Sequence, residues 1–426
     1  MEKRMFTKKK IRSLLGVGLI VLMTAGCGTR IEENASYVYK EKFEEESVVA
    51  SVPRASEPEE GDKASVSQAA EQEQDEDFVR PTVSLIMVGD ILLHDPVEAS
   101  ALRSDGSYDF TAVFANVREE IQAADLKLVN QEVIIGGTEL GISGYPAFNA
   151  PYEIGDALAD AGFNLVCHAT NHALDKGKRG VGNCLKFWQE NHPEIGVLGI
   201  HDSQESQDTI YVYEKDGIKI AVLNYTYGTN GIALPQDMPF AVDLLEKNRV
   251  EEDLQKAEEI ADFTVVCPHW GTEYALGVSA AQKEWTRVFL ENGADLVLGT
   301  HPHVIEPIEW VTDEELGLEM LVYYSLGNFV NWTSGTGEGV ANRMVGGMAQ
   351  VTLERAEDGR VLIADYGVMP LVCHVEEGTD GVTVYALSDY TEELAERNAI
   401  IQQDSAFSLA YCRELCDRVW DEEFVH

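Results

Sequence analysis

The chain has 426 residues, 45% of them apolar, with 32 basic and 74 acidic side chains and a formal net charge of −42. So acidic a surface repels polyanions, which argues against nucleic acid as a partner. An anionic ligand would have to be met by a local positive feature, for which bound metal ions are the obvious source.

Lys3, Arg4, Lys8, Lys9, Lys10 and Arg12 form a basic start, followed by the apolar stretch from Leu14 to Met23 and by Thr24-Ala25-Gly26-Cys27. That order reads as an export signal over residues 1–26, and its apolar part falls short of the roughly 20 residues that span a bilayer comfortably. It resembles a bacterial lipoprotein signal, in which Cys27 becomes the lipidated first residue. It departs in carrying Thr24 where leucine is usual. The resemblance implies a lipid-anchored protein on the extracellular face of the cell membrane. Residues 31–80 hold fifteen acidic and five basic side chains among Ser, Ala, Gln and Pro. Self-repulsion and low hydrophobicity make residues 27–80 an acidic, disordered tether.

Residues 81–372 are expected to form the main domain, and residues 373–426 a helical C-terminal extension. The first strand is expected at Thr82 to Val88, then a helix near Ala112 to Ala124 and a strand at Leu126 to Val129. Helix (Tyr152 to Ala161), strand (Leu165 to Cys167), helix (Lys178 to Asn191) and strand (Gly196 to Leu198) continue the alternation. A hairpin pairs Ile210 to Tyr213 with Ile218 to Leu223 across Lys215-Asp216-Gly217. A helix at Val242 to Glu259, a strand at Phe263 to Val266 and a helix at Ser279 to Asn292 lead into the apolar run Ala294 to Leu298. Met320 to Ser325, Met348 to Leu353 and Val361 to Val368 then read as strands joined by turns, and Tyr390 to Val425 as helical and acidic. Ser334 to Gly347, with five glycines, is either a mobile loop near a cleft or a plain connector. The class is α/β with an antiparallel share. Beyond Cys27, six cysteines (Cys167, Cys184, Cys267, Cys373, Cys412, Cys416) show no CxxC pairing and are expected as buried free thiols.

In open α/β sheets ligands collect at the carboxyl ends of strands. Gly89-Asp90, Asn130-Gln131-Glu132, Asn171-His172, His269-Trp270-Gly271-Thr272-Glu273 and Gly299-Thr300-His301-Pro302-His303 all stand at such ends. Two imidazoles on one short loop, near further oxygen and nitrogen donors, point to a divalent transition metal, which needs several convergent ligands to replace its hydration. The plainer role for Asp90 and Glu132 is capping of a following helix. His168 and Cys167 are expected to pack, and His192, His201, His374 and His426 to lie on the surface.

These segments, together with Asn171-His172-Ala173-Leu174-Asp175 and Tyr324-Ser325-Leu326-Gly327-Asn328-Phe329, resemble the CapA-type proteins of bacterial poly-γ-glutamate capsule synthesis over residues 82–330. That family is similar in turn to calcineurin-like metallophosphoesterases. The resemblance implies an αββα sandwich of two mixed sheets flanked by helices, with one or two divalent ions (Mn, Zn or Fe). It assigns Asp90, Glu132, Asn171, His269, His301 and His303 as metal ligands, Glu132 taking the place of the bridging carboxylate. His172 becomes the general acid and Asp175 its orienting partner. The pattern departs at Leu92, where the phosphoesterases carry histidine, leaving His94 as the nearest substitute, and at Ala173, where an acidic residue is expected.

The function so implied is capsule (poly-γ-glutamate) or cell-wall polymer biosynthesis at the cell surface, by metal-dependent hydrolysis or transfer at a phosphoester or γ-glutamyl bond. The alternative is a non-catalytic, metal-dependent polymer-binding component of a capsule synthesis complex. Expected partners are an anionic polymer such as poly-γ-glutamate or cell-wall material, the membrane through the lipid anchor, and capsule synthesis proteins.

Overall fold

The computed structural model describes residues 80–376 and 381–426. The export signal, Cys27 and most of the tether lie outside the described residues. No helix among those described is long and apolar enough to cross a membrane.

In chain order the elements are β1 (Thr82–Leu92), α1 (Asp95–Ala101), α2 (Arg118–Ala123), β2 (Leu126–Asn130), α3 (Glu153–Ala161), β3 (Leu165–Cys167), α4 (Gly177–Asn191) and β4 (Gly196–Leu198). Next come α5 (Gln204–Asp208), β5 (Tyr211–Lys215), β6 (Ile218–Thr226), α6 (Lys247–Ile260), β7 (Phe263–His269), α7 (Ala280–Glu291) and β8 (Leu296–Leu298). The chain continues through β9 (Ile308–Asp313), β10 (Leu318–Tyr323), β11 (Asn328–Asn331), β12 (Val345–Arg355), β13 (Val361–Val375) and β14 (Val382–Ala386), closing with α8 (Glu392–Arg397) and α9 (Leu409–Val419).

Two mixed sheets result. One has the order β14-β13-β12-β1-β2-β3-β4, with β11 also paired to β1; the other runs β5-β6-β7-β8-β10-β9. Alternation along the second sheet shows how the layers stack, since successive side chains of a strand point to opposite faces. Val265 and Cys267 of β7, with Leu321 and Tyr323 of β10, join the large core that includes the first sheet. Val266, Met320 and Val322, on the opposite face, pack with Val250 and Leu254 of α6 and Phe289 of α7. The second sheet is therefore covered by the first sheet on one side and by helices on the other. Ile154 and Leu158 of α3 and Val181 and Phe187 of α4 join the large core from the first sheet's side. This is the expected αββα sandwich. Burial on both faces explains why β1, β7 and β8 read as nearly continuous apolar runs.

The helix expected from Val242 begins only at Lys247. The preceding backbone is used elsewhere: Asp243 N–H donates to Gly199 O at 3.0 Å and Leu245 N–H to Thr226 O at 2.8 Å, tying this segment to the strand ends. The boundary expected at 372/373 falls inside β13, and β14 pairs antiparallel with it, so the last part of the chain is not a separate helical extension. Val372, Cys373 and Val375 are buried in the sheet, and Cys412, Leu415 and Trp420 of the C-terminal part join the same core. The glycine-rich segment turns through a short 3-10 helix at Val340–Met344 and then enters β12. His201 and His374 are buried rather than on the surface. His201 Nε2 lies 2.7 Å from Asp243 Oδ2 and His374 Nδ1 lies 2.8 Å from Tyr390 Oη, so each imidazole has the polar partner that burial demands. The six cysteines among the described residues are free and buried.

Candidate metal centre

The carboxyl ends of β1, β2, β3, β7 and β8 meet at one edge where the two sheets face each other. Close backbone approach makes this possible. A side chain at Gly89 would collide with the carbonyl oxygen of Gly327, which accepts the Asp90 N–H at 2.9 Å. One at Gly299 would likewise strike the Tyr324 carbonyl. Glycine at both places lets the segment between β10 and β11 lie against the end of β1 and the start of the loop after β8. His301 (φ 99°) and His303 (φ 59°) both have left-handed backbones. Such strain in bulky residues persists only where the surroundings hold it, and it concentrates at functional sites.

Ligand atoms from Glu132, His269 and His301 lie within 4.8 Å of one another, as do those of Asp90, Glu132 and His303, and those of Glu273, His301 and His303. Glu132 belongs to two of these groups, and its buried carboxylate has no hydrogen-bond partner on either oxygen. Its Oε1 is 3.8 Å from His269 Nε2 and 3.6 Å from His303 Nε2. These gaps are too long for hydrogen bonds, but they suit donors that share an ion at about 2.0–2.2 Å. Two further buried atoms, His301 Nδ1 and Asn130 Oδ1, also have no partner. Such unpaired buried groups are uncommon and need an explanation. A divalent cation is the one the donor set fits: two buried carboxylates, three imidazoles and amide oxygens.

The remaining contacts orient these donors. Asp90 Oδ2 accepts the His301 N–H at 3.2 Å and lies 3.1 Å from His303 Nδ1, while its Oδ1 accepts from Asn130 Nδ2 at 2.8 Å. His269 Nε2 is 3.0 Å from Asn171 Oδ1, and its Nδ1 is 3.1 Å from Thr300 Oγ1. Burial keeps His269 and His301 well below the usual imidazole range, reinforced by the neighbouring imidazoles, so both are neutral and free to ligate. Burial also pulls His303 down, but the charges of Glu132 and Asp90 outweigh it and lift the ring to about 9. Burial drives Glu132 well above the carboxylate range, with Asp90 adding to the rise and His303 opposing it. A cation would relieve this frustration.

His172 stands beside the cluster. Its Nδ1 is 2.6 Å from Asp175 Oδ2, which also accepts the Phe148 N–H at 2.7 Å, and Phe148 meets the imidazole edge-on at 4.6 Å. Leu92 is buried at the end of β1 and supplies no donor. His94 packs against Phe148 at 5.2 Å, half-buried, and burial with the nearby His303 lowers it to about 4.

Sequence reasoning gathered Asp90, Glu132, Asn171, His172, Asp175, His269, His301 and His303, and the structure brings all eight to this edge. It passed over Asn130, which links Asp90 to β2, and Asn328, whose Oδ1 is 3.2 Å from His303 Nδ1. It also passed over Glu273 and over Tyr227, whose ring lies 4.6 Å from that of His301. Asn130, Glu273 and Asn328 stood inside the quoted motifs, and Tyr227 follows β6 at another strand end; position was the available signal.

Residues 84–333, more than half of the chain, match the protein family described as "Bacterial capsule synthesis protein PGA_cap". The chain belongs to this family. It is 31% identical over 180 residues to the PGA biosynthesis protein CapA of Bacillus subtilis (strain 168), covering 41% of this chain and 45% of that protein. It is 28% identical over 194 residues to the capsule biosynthesis protein CapA of Bacillus anthracis, covering 43% and 45%. The chain thus aligns with less than half the length of either relative. Among solved structures, the NAD nucleotidase NadN of Haemophilus influenzae superposes with a TM-score of 0.45 at 12% identity, covering 80% of this chain and 67% of that one. The calcineurin-like phosphoesterase YfkN of Bacillus subtilis does so with a TM-score of 0.38 at 13% identity, covering 78% and 100%. At these scores neither bears on the site; the sandwich rests on the sheets themselves.

Proposed function

We propose that this member of the capsule synthesis family acts on capsule or cell-wall polymer through a divalent-metal centre at the strand ends, cleaving or transferring a phosphoester or γ-glutamyl bond. The observation that carries the reading is Glu132: a fully buried carboxylate without a hydrogen-bond partner, set between two histidines. Asp90, Glu132, Asn171, His269, His301 and His303 would hold the ion or ions, with Glu132 shared between two groups of donors. When bound, a divalent ion supplies Lewis acidity at a substrate oxygen.

The chain's own residues do the rest. Asp175 fixes the ring of His172 through Nδ1, leaving Nε2 to hold a proton for a leaving group. Asn130 and the His301 N–H hold the Asp90 carboxylate in place. Family membership supports the polymer, since the relatives are named for capsule and PGA biosynthesis.

A specific observation also keeps the non-catalytic, polymer-binding reading in view: Leu92 supplies no donor where the phosphoesterases have histidine. One experiment separates the two. The full chain is loaded with Mn²⁺ or Zn²⁺, its metal content is measured, and it is assayed on a phosphoester and on a γ-linked glutamate oligomer. Stoichiometric metal with turnover is expected. Metal with chelator-sensitive polymer binding and no turnover on either bond class would favour the binding role, and failure to take up metal would remove both.

We also propose that the protein is lipid-anchored at Cys27 on the outer face of the membrane, on the strength of the basic, apolar and small-residue order before it. Mass analysis of the membrane fraction should find a diacylated N-terminal Cys27. An unmodified Cys27 in the mature protein rules the anchor out.

A further inference from the structure

Arg343 stands at the metal edge and is one of several cations of the described residues without a carboxylate partner. It lies in the 3-10 turn before β12, half-buried, and among the described residues its guanidinium pairs with no carboxylate. Its Nε is buried without a hydrogen-bond partner. The carbon at the centre of the guanidinium sits 3.7 Å over the ring of Tyr274. That contact holds the group by cation–π attraction but provides no acceptor for its donors.

Both members of the stack belong to the metal edge. Tyr274 follows Glu273, its N–H donates to Pro302 O at 2.7 Å between the two loop histidines, and its ring is 5.9 Å from that of His303. Its backbone is left-handed, φ 65°, so the platform is held by the same loop that presents His301 and His303. Asn328, which contacts His303 Nδ1, donates through Nδ2 to the Arg343 carbonyl at 3.0 Å. Tyr274 and Tyr227 are each about half exposed, at 45% and 48%, so this side of the centre opens to solvent.

In a chain of net charge −42 an arginine would be expected to find a carboxylate, yet Arg343 stacks on Tyr274 instead. That contact leaves the donors of the guanidinium without an acceptor among the described residues. A guanidinium fork matches two oxygens of a carboxylate or phosphate, and it does so best when already immobilised. We propose that Arg343, seated on Tyr274, is the anion receptor of the metal cleft, binding an oxyanion of the substrate: a phosphate oxygen or the free carboxylate of a glutamyl polymer. This rests on the metal-centre reading above, and it adds the residue that would overcome the protein's general repulsion of anionic substrates.

The test uses the full chain with measured metal content and two probes, inorganic phosphate and a γ-linked glutamate oligomer, whose binding is followed by calorimetry. Arg343→Gln should keep the wild-type metal content and weaken at least one probe by roughly tenfold or more, as expected on losing charge-assisted hydrogen bonds. Which probe suffers identifies the source of the oxyanion. Arg343→Lys keeps the charge but loses the fork and should fall between. Tyr274→Phe should bind as wild type and Tyr274→Leu should not, because the ring and not the hydroxyl carries the guanidinium. Arg413→Gln, an exposed site with the same loss of charge, controls for net charge.

Equal binding of both probes by wild type and Arg343→Gln overturns the proposal, as does the absence of binding of either probe to wild type at millimolar concentration. Wild type that takes up no metal defeats the metal-centre reading instead, and the comparison of wild type with Arg343→Gln still decides the role of Arg343.

Discussion

His172→Ala is expected to keep the wild-type metal content and lose turnover by roughly 10²- to 10⁴-fold, the usual contribution of a positioned general acid. The geometry separates the two roles. His172 belongs to none of the three groups of converging ligand atoms, and its Nδ1 is committed to Asp175 at 2.6 Å. Its neighbour Asn171 reaches the centre through His269 Nε2 at 3.0 Å, which brings His172 close to the metal edge without making it a ligand. Asp175→Asn should lower turnover by less, since an amide can still accept a hydrogen bond while losing the charge that steadies a protonated ring. Because Asp175 also accepts the Phe148 N–H, its variants must be checked for intact fold by circular dichroism. Single-turnover assays on metal-loaded protein with the phosphoester and the γ-glutamyl oligomer decide the matter. If His172→Ala turns over as wild type does, the general-acid role is wrong.

Much of this site was legible because strand ends leave a plain signal. The runs Leu165 to Cys167 and Gly196 to Leu198 coincide with β3 and β4; β3, buried throughout, carries nothing but apolar residues and is followed by the polar His168 and Asn171. Once those strands lie parallel in one sheet, the residues after them must converge, so Asp90, Glu132 and Asn171 could be grouped before any coordinates were known. What escaped notice depends on contacts between segments far apart in sequence. Arg343 meets Tyr274 across 69 residues, from a glycine-rich stretch whose composition speaks only of turns. His201 and His374 lack motif neighbours, and their burial follows from Asp243 and Tyr390 being brought to them by the fold. The helical extension expected from residue 373 starts later, because β13 continues through Val375, buried at every residue from Pro370 onward, and pairs with β14; the helices come only at Glu392–Arg397 and Leu409–Val419.

The second large effect is expected at the ligands themselves. Glu132→Gln keeps the size of the side chain and removes its charge, which should reduce metal affinity by well over tenfold, the scale already seen when only outer hydrogen bonds to ligands are changed. His301→Ala and His303→Ala should lower it similarly with little loss of fold, because both rings sit on a loop whose backbone is held by Asp90 and by the turn at Gly299. Stability gives an independent readout. A ligand present at a hundred times its dissociation constant stabilises the folded state by about 2.7 kcal/mol, so wild type should melt measurably higher with metal than with chelator. In Glu132→Gln that difference should vanish at the same metal concentration. The chelated variant should nevertheless be at least as stable as chelated wild type, since the amide removes a buried carboxylate that has no hydrogen-bond partner and lies close to Asp90. A site built only for packing predicts the reverse pattern: no metal-dependent shift in wild type and a loss of stability in the variant. Metal analysis together with melting curves on wild type and these three variants, each with and without chelator, distinguishes the two outcomes, and full metal retention by Glu132→Gln would remove the carboxylate from the centre altogether.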